Sequence, residues 1–258
     1  MLMKGHSMRT GFLVFCLFGL SWTSAQSETP NLPMIDAGPM VGYGTHHEVA
    51  IWLKTSSPAR VAIDYWPEAQ PTKVKRSPIH LTTGPANRIA HIVVDALTPG
   101  TRYGYRINLA PATPKAQQSL QASPRPYPLR FQTQSLWQRR SDPAGFTLAF
   151  GSCSYVNDAE YDIGAPKYGG GYEVFESIRE RTPDLMLWLG DNVYLRPTDW
   201  SSPKGILRRY ARDRRLEALQ PLLGSVHHYA VWDDHDYGPN DSDRSYVHKG
   251  AALDAFRA

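Results

Sequence analysis

The chain has 258 residues, with 28 Lys and Arg against 24 Asp and Glu, and hydrophobic residues make up 41% of it. This balance is typical of a soluble globular protein and leaves room for one large domain or two modest ones. The longest apolar run, Phe12–Trp22, is shorter than the ~20 residues that a membrane span needs. These features exclude a multi-span membrane protein, a coiled coil and a collagen-like fibre. With no block of like charge, we expect no specific nucleic-acid partner and no transmembrane segment.

The N-terminal segment has the pattern of a secretory signal. Lys4 and Arg9 precede the apolar run, and Thr23–Ala25 supplies small residues where a signal peptidase would cut. We therefore expect residues 1–25 to be a Sec-type signal peptide cleaved near Ala25, and the protein to be secreted or periplasmic. A buried core helix is the alternative, but the run is not amphipathic. Cleavage leaves 26 basic and 24 acidic residues and a single cysteine, Cys153, which cannot form an internal disulfide.

Residues 34–134 alternate short apolar runs with turn signals, a pattern that predicts an antiparallel β-sandwich. Its predicted strands are residues 49–53, 60–65, 89–94, 103–107 and 129–133. Leu97–Tyr103, with the sequence Leu-Thr-Pro-Gly-Thr-Arg-Tyr, resembles the turn before a late strand of fibronectin type III and immunoglobulin-like domains. Composition predicts a long loop over residues 110–128 and a linker over residues 135–145.

From residue 146 the hydrophobic pattern changes. Apolar strands are predicted at 146–150, 184–189 and 226–232, with helices at 172–180, 203–223 and 249–257. Strands that alternate with helices indicate a parallel sheet covered on both faces. Ligands bind to such sheets where loops leave the carboxyl ends of the strands, so we expect the functional residues at these ends.

Polar residues follow each of the three strands. The first strand ends in Gly151-Ser-Cys153, the second in Gly190-Asp-Asn-Val-Tyr194 and the third in Trp232-Asp-Asp-His-Asp236. Five aspartates lie within residues 233–243, and carboxylates this close raise one another's pKa unless a cation neutralises them. A bound metal is therefore expected. Each motif alone also has a structural alternative. Cys153 could be a buried inert thiol, Gly190-Asp-Asn a turn, and Asp233–Asp236 a solvated loop.

In chain order, the three motifs are Phe150-Gly-Ser-Cys153, Gly190-Asp-Asn-Val-Tyr194 and Trp232-Asp-Asp-His-Asp236. Together they resemble the leading motifs of the PhoD-like alkaline phosphatases, a family of calcineurin-like metallophosphoesterases. Members of that family carry an immunoglobulin-like domain ahead of the catalytic one. The resemblance implies an α/β metallophosphoesterase domain at residues 146–258, preceded by the immunoglobulin or fibronectin III-like sandwich at residues 34–134. It also implies that the catalytic domain is partial and that the chain is truncated at its C-terminus.

The resemblance further implies a role for individual residues. Cys153 would be a thiolate ligand to iron, Asp191 would bridge two metals, and Tyr194 would be a phenolate ligand to the same iron. Asp234 would be a further metal ligand, and His235 would be the catalytic group that assists the leaving group. The implied metals are iron and calcium, with other divalent metals as an alternative.

The implied function is a secreted, metal-dependent hydrolase of phosphate monoesters or diesters, in which a metal-activated water attacks phosphorus. Asn192 and Asn240 would contact the phosphate or the metal ligands. Two other functions stay open at this point: a degenerate or truncated relative that binds a cell-surface polymer, and a thiol enzyme with a histidine base beside Cys153. The arginines of residues 208–215 are predicted to form a solvated helix face, and His227 and His228 to pack in the third strand.

Overall fold

The computed structural model describes residues 32–83, 88–112, 119–138, 140–164 and 167–258. The predicted signal peptide and its cleavage site near Ala25 lie outside these residues. Within the described part of the chain, no helix is long and apolar enough to cross a bilayer.

The first part of the described chain folds into two antiparallel sheets. One sheet has the strand order β1-β2-β6, and the other has the order β4-β3-β7-β8, with β5 pairing with β3 and β9 with β7. The strands are β1 (Ile35–Gly44), β2 (Val49–Thr55), β3 (Ala59–Pro67), β4 (Lys75–Arg76), β5 (His80–Leu81), β6 (Ile89–Val94), β7 (Arg102–Pro111), β8 (Gln121–Ser123) and β9 (Arg130–Gln132).

Alternation along the strands builds the core between these sheets. Val49, Ile51 and Leu53 lie on one side of β2 and are fully buried, and Ile63 of β3 packs into the same cluster. Successive side chains of a strand point to opposite faces, so a period of two in the sequence becomes one buried face. All five strands predicted from this pattern are present, which confirms the sandwich-like architecture.

The first strand, β1, was not predicted. Its sequence contains Gly38, Pro39 and Gly42, which are turn signals, yet it pairs with β2 through a register that shifts at three places. Strand β1 lies at the edge of its sheet, where a proline costs no ladder hydrogen bond if its nitrogen faces away from the neighbour.

The second part of the chain contains a parallel sheet of order β10-β11-β12. Two short helices, α2 and α5, were not predicted, and the predicted helix at residues 203–223 is divided into α3, a 3₁₀ turn at Glu217–Leu219 and α4. The elements are β10 (Leu148–Gly151), α1 (Glu173–Glu180), β11 (Leu185–Leu189), α2 (Pro197–Trp200), α3 (Pro203–Asp213), α4 (Gln220–Leu223), β12 (His227–Val231), α5 (Asp234–Tyr237) and α6 (Lys249–Arg257).

The two faces of this parallel sheet differ, so the prediction that both are covered is wrong for the described residues. On one face Met186 packs against Phe175 of α1 and Leu222 of α4. On the other face the alternate residues Phe150 and Val231 are 67% and 53% exposed. Within the described residues, helices therefore cover only one face of this sheet, which is a partial α/β arrangement.

Residues 32–258 form one compact unit, and buried polar contacts join the sandwich to the parallel sheet. The ring nitrogens of His227 lie 2.8 Å from the carbonyl oxygens of Gly42 and Gln132. The Tyr105 hydroxyl donates a hydrogen bond to the carbonyl of Gly224 at 3.1 Å. His227 is thus a packing residue at this junction, as its position in the third strand predicted.

Candidate metal centre

The loops that leave β10 and β11 bend sharply at two non-glycine residues. Cys153 has φ 59° and Asp191 has φ 49°, both in the left-handed region, where a side chain strains the backbone. The two loops are tied together, because the backbone N–H of Cys153 donates to Gly190 at 3.3 Å and that of Ser154 donates to Asp191 at 2.9 Å. Strain of this kind persists where surrounding structure imposes it and concentrates at functional sites.

Gly190 allows the third loop to approach. Its φ is 96°, and a Cβ at this position would lie 2.7 Å from the Cβ of Asp233, closer than two side chains can pack. The absence of a side chain thus brings the end of β12 against the end of β11. The three strand ends meet at one edge of the sheet, as expected for parallel strands.

Two side chains converge on one oxygen of Asp191. The Cys153 thiol lies 3.5 Å from Oδ2 of Asp191, and the Tyr194 hydroxyl donates to the same oxygen at 3.0 Å. The other oxygen, Oδ1, is buried and has no hydrogen-bond partner within the described residues. Cys153 is exposed, so the alternative of a buried inert thiol is wrong.

Asp234 and His235 complete a cluster with Asp191. One potential ligand atom from each of the three side chains lies within 4.8 Å of the others, a separation that a single metal ion can span. The ring of Tyr194 also packs on that of His235, with centroids 4.3 Å apart. Four of the predicted site residues thus lie together with Cys153 at the carboxyl edge of the sheet.

The phenol of Tyr194 is electrostatically coupled to this cluster. Burial raises its pKa well above the ordinary value, and its hydrogen bonds with Cys153 and the Asp191 carboxylate raise the pKa further. A phenol in this environment stays protonated and donates to Asp191 unless a cation stabilises the phenolate. The side chains of Cys153, Asp191 and Tyr194 therefore suit a positively charged ligand next to the phenol.

The acidic run after β12 is only partly explained by a metal. Asp233 is the N-cap of α5 and accepts from the backbone N–H of Asp234 at 2.9 Å. Asp243 accepts from the backbone N–H of Ser245 at 2.7 Å. Asp234 is the member of the run that joins the cluster, so most of these aspartates satisfy loop and helix-end donors instead.

Asp236 is a site-building residue that sequence analysis missed. It is fully buried, and its carboxylate accepts from the backbone N–H of Asn192 at 2.8 Å, from the Asn192 side chain at 3.0 Å and from the backbone N–H of Asp233 at 2.9 Å. Burial raises its pKa, and these donors oppose that rise. The spacing of Asp233 and Asp236, which is that of a capping box, was the available signal.

The two predicted asparagines have different positions. Asn192 is buried, and its side-chain nitrogen donates to Val231 at 2.8 Å and to Asp236, so it links the β11 loop to the end of β12. Asn240 is exposed and donates to Asp241, whose own backbone N–H donates to the Asp234 carboxylate. Asn240 therefore lies beside the cluster, and Asn192 lies beneath it.

The arginines of residues 208–215 form the predicted solvated face only in part, since Arg208 and Arg215 are exposed. Arg209 is fully buried, with its guanidinium 2.7 Å from Asp199 and 3.1 Å from Asp158. Burial raises the pKa of the nearby Asp213 to about 6, although Arg209 and Arg212 oppose that rise. The prediction was wrong for Arg209 because two of its acidic partners, Asp158 and Asp199, come from other segments of the chain.

Three comparisons place the chain among known proteins. A family model described as a domain of unknown function, DUF7800, matches residues 33–125, within the sandwich. No curated protein sequence matches the chain. The solved structure of PhoD is similar at a TM-score of 0.65 with 17% identity, covering 87% of this chain and 45% of that one. The fibronectin III domain of human collagen alpha-1(XX) matches at 18% identity and a TM-score of 0.26, over 42% of this chain and 92% of that domain.

The similarity to PhoD extends over both parts of the described chain and shows a PhoD-like fold. At 17% identity the similarity shows the fold alone, and the chain spans 45% of the length of that structure. The predicted fold class is supported at this coarser level, as a sandwich-like part with antiparallel sheets followed by a partial α/β part.

Proposed function

We propose that this protein is a metal-dependent phosphoesterase of the PhoD-like alkaline phosphatase family. The observation that carries the proposal is the convergence of Cys153 and Tyr194 on one oxygen of Asp191, whose other oxygen is buried without a partner in the described residues. An unpaired buried carboxylate oxygen is costly unless a cation or another donor meets it. The PhoD-like fold supports the same proposal.

The donor set fits two kinds of metal. A thiolate and a phenolate at Cys153 and Tyr194 suit iron, while the carboxylates of Asp191 and Asp234 are hard oxygen ligands of the kind that calcium prefers. Asp191 can serve both ions because it has two oxygens and only one of them is used within the described residues. His235 lies within ligand distance of Asp191 and Asp234.

When bound, the metals would neutralise phosphate charge and acidify a water molecule for attack at phosphorus. The remaining steps belong to the chain's own residues. His235 would donate a proton to the departing alkoxide, since it lies at the start of α5 at the edge of the site and its ring packs against that of Tyr194. Asn192 and Asp236 would hold the β11 loop in place beneath it.

The proposed substrates are phosphate monoesters or diesters, and the proposed location is outside the cytoplasm, after removal of the N-terminal signal. The alternative of a thiol enzyme has less support. Such an enzyme needs a histidine base beside the thiol, whereas Cys153 donates to Asp191, accepts from the Ser152 hydroxyl and also hydrogen-bonds with Tyr194.

The test compares Asp234→Asn with Asp243→Asn, a matched loss of one carboxylate from the same acidic run. Protein loaded with ferric iron and calcium is assayed for bound metal and for hydrolysis of p-nitrophenyl phosphate and bis(p-nitrophenyl) phosphate. We expect Asp234→Asn to lose about 100-fold or more of the activity and Asp243→Asn to stay within about twofold. Wild-type protein that binds neither metal, or an Asp234→Asn variant as active as the control, would contradict the proposal.

A further inference from the structure

The ring of Tyr155 packs against that of Tyr194. The two ring centroids are 5.0 Å apart with the planes tilted by 55°. The other neighbour of Tyr194 is His235, at 4.3 Å. The phenol that donates to Asp191 therefore packs against two rings, those of Tyr155 and His235.

Tyr155 is itself held by an ion pair. Its hydroxyl donates to Oδ1 of Asp162 at 3.0 Å, and the guanidinium of Arg196 lies 4.3 Å from the centre of its ring. Arg196 and Asp162 form a bidentate ion pair, in which Nε of Arg196 donates to Oδ1 of Asp162 at 3.1 Å and Nη2 donates to Oδ2 at 2.9 Å. Their side chains are only 8% and 12% exposed, so this pair is largely protected from water.

The same guanidinium also contacts the backbone on both sides of the tyrosine pair. Arg196 donates to the carbonyl oxygen of Tyr194 and, at 3.1 Å, to that of Val156, the residue after Tyr155. One arginine therefore fixes the loop after β10, the loop after β11 and the ring between them. A guanidinium can do this because its five N–H donors lie in one rigid plane.

We propose that Tyr155, held by Asp162 and Arg196, is a positioning residue that keeps the Tyr194 phenol on Asp191. None of the three belongs to the acidic and histidine cluster, and the proposal concerns the orientation of a ligand rather than the reaction itself. Its consequence for iron binding rests on the proposed function. Groups that orient metal ligands from outside typically change metal affinity ten- to 100-fold when they are replaced.

The experiment compares Tyr155→Leu with Tyr161→Leu. Tyr161 lies in the same loop and also packs near an arginine, with Arg208 at 5.7 Å from its ring, so the control removes the same atoms at a place that does not touch Tyr194. Tyr155→Phe keeps the ring but loses the hydrogen bond to Asp162. This variant separates the effect of ring packing from that of the hydrogen bond to Asp162.

Two measurements are made on each variant. In metal-free protein, NMR relaxation of labelled tyrosine rings reports the flip rate of Tyr194, and we expect faster flipping in Tyr155→Leu only. With ferric iron, we expect affinity to fall about ten- to 100-fold and the tyrosinate-to-iron absorption band to shift in Tyr155→Leu, with a smaller change in Tyr155→Phe.

The outcomes separate this inference from the proposed function. Unchanged ring flipping and an unchanged iron band in a folded Tyr155→Leu protein would overturn the positioning role. Wild-type protein that takes up no iron would instead overturn the proposed function, while the flip rates would still decide whether Tyr155 holds Tyr194. A variant that melts at lower temperature with both signals unchanged counts against the inference, because a purely structural residue behaves in that way.

Discussion

The thiol of Cys153 lies 3.5 Å from a carboxylate oxygen of Asp191, and both residues have left-handed backbone conformations, with φ of 59° and 49°. The two strained residues thus face each other across the ends of β10 and β11. A side chain in this region costs about 1–2 kcal/mol relative to ordinary backbone conformations. The pairing of strain with a shared carboxylate oxygen suggests that the chain gives up stability to bring these side chains together.

Replacing Cys153 by glycine should therefore stabilise the fold while removing the thiol. Glycine adopts a positive φ without strain, and the exposed side chain loses few contacts, so we expect about 0.5 kcal/mol more stability after the entropy cost of glycine. The control is Ser152→Gly, at an exposed neighbour outside the left-handed region, which should lose about 0.5–1 kcal/mol. Urea unfolding measures both, and a Cys153→Gly variant as destabilised as the control would refute the strain argument.

Gly44 should not tolerate a methyl group at the junction of the two parts. An added Cβ would lie 2.5 Å from Cε1 of His227, and a shift of that ring would disturb its two 2.8 Å contacts with carbonyl oxygens. We expect Gly44→Ala to cost about 2 kcal/mol, as overpacking of a fixed core does.

Gly42→Ala is the matched control in the same strand. Its Cβ would lie 3.5 Å from the nearest atom, the carbonyl oxygen of Ala50, which is an ordinary contact. We expect a change within about 0.5 kcal/mol. Equal thermal and urea stabilities for the two variants would mean that His227 moves freely and that the junction is looser than its contacts indicate.

Local patterns predicted most of the strands because each of those patterns lies within one segment. The alternation at Val49–Leu53 reports burial directly. The apolar run at Leu185–Leu189 predicted a parallel strand correctly, although Met186 is its one buried residue. Strand β1 was missed because Gly38 and Pro39 obscure it, and what makes it a strand is pairing with β2, a tertiary interaction.

For the candidate site, residue types and strand ends predicted which side chains would meet but not how they are supported. Cys153 and Asp191 were expected together, since both follow parallel strands. The burial of Arg209 depends on Asp158 and Asp199, which lie in other segments, so its spacing on the helix predicted a solvated residue instead. Long-range ion pairing of this kind leaves no periodic signal in a single sequence.

Breaking the buried ion cluster should destabilise the protein strongly. Arg209 is fully buried and its guanidinium pairs with the carboxylates of Asp199 and Asp158. Its removal would leave these two carboxylates buried with less compensating charge. We expect Arg209→Ala to cost about 3–5 kcal/mol. Arg208→Ala is the control: this neighbouring arginine also pairs with Asp199 but is 44% exposed, so about 1 kcal/mol or less is expected. Similar unfolding midpoints for both variants would contradict the burial of Arg209.

The last prediction concerns the pH dependence of stability and its origin in His228. This ring is buried, accepts a hydrogen bond from Trp188 Nε1 at 3.0 Å on Nδ1, and lies 3.2 Å from the carbonyl oxygen of Leu222 through Nε2. The neutral form with the proton on Nε2 satisfies both contacts. Burial lowers the pKa of His228 to about 3, whereas an unfolded histidine titrates near 6.5.

Between these two pKa values the unfolded chain binds a proton that the folded chain does not. Stability contributed by the neutral ring is therefore complete above pH ~6.5 and falls as the pH decreases toward 3, by about 1.4 kcal/mol per pH unit. His228→Gln keeps a donor and an acceptor but does not titrate, so its unfolding free energy should decline less steeply over that range. Urea unfolding of both proteins at pH 7, 6, 5 and 4 measures the slopes. Parallel curves would contradict the prediction, because they would mean that His228 takes up its proton in the folded state as well. We expect it to stay neutral, since an imidazolium has no acceptor for the N–H of Trp188, which donates to Nδ1.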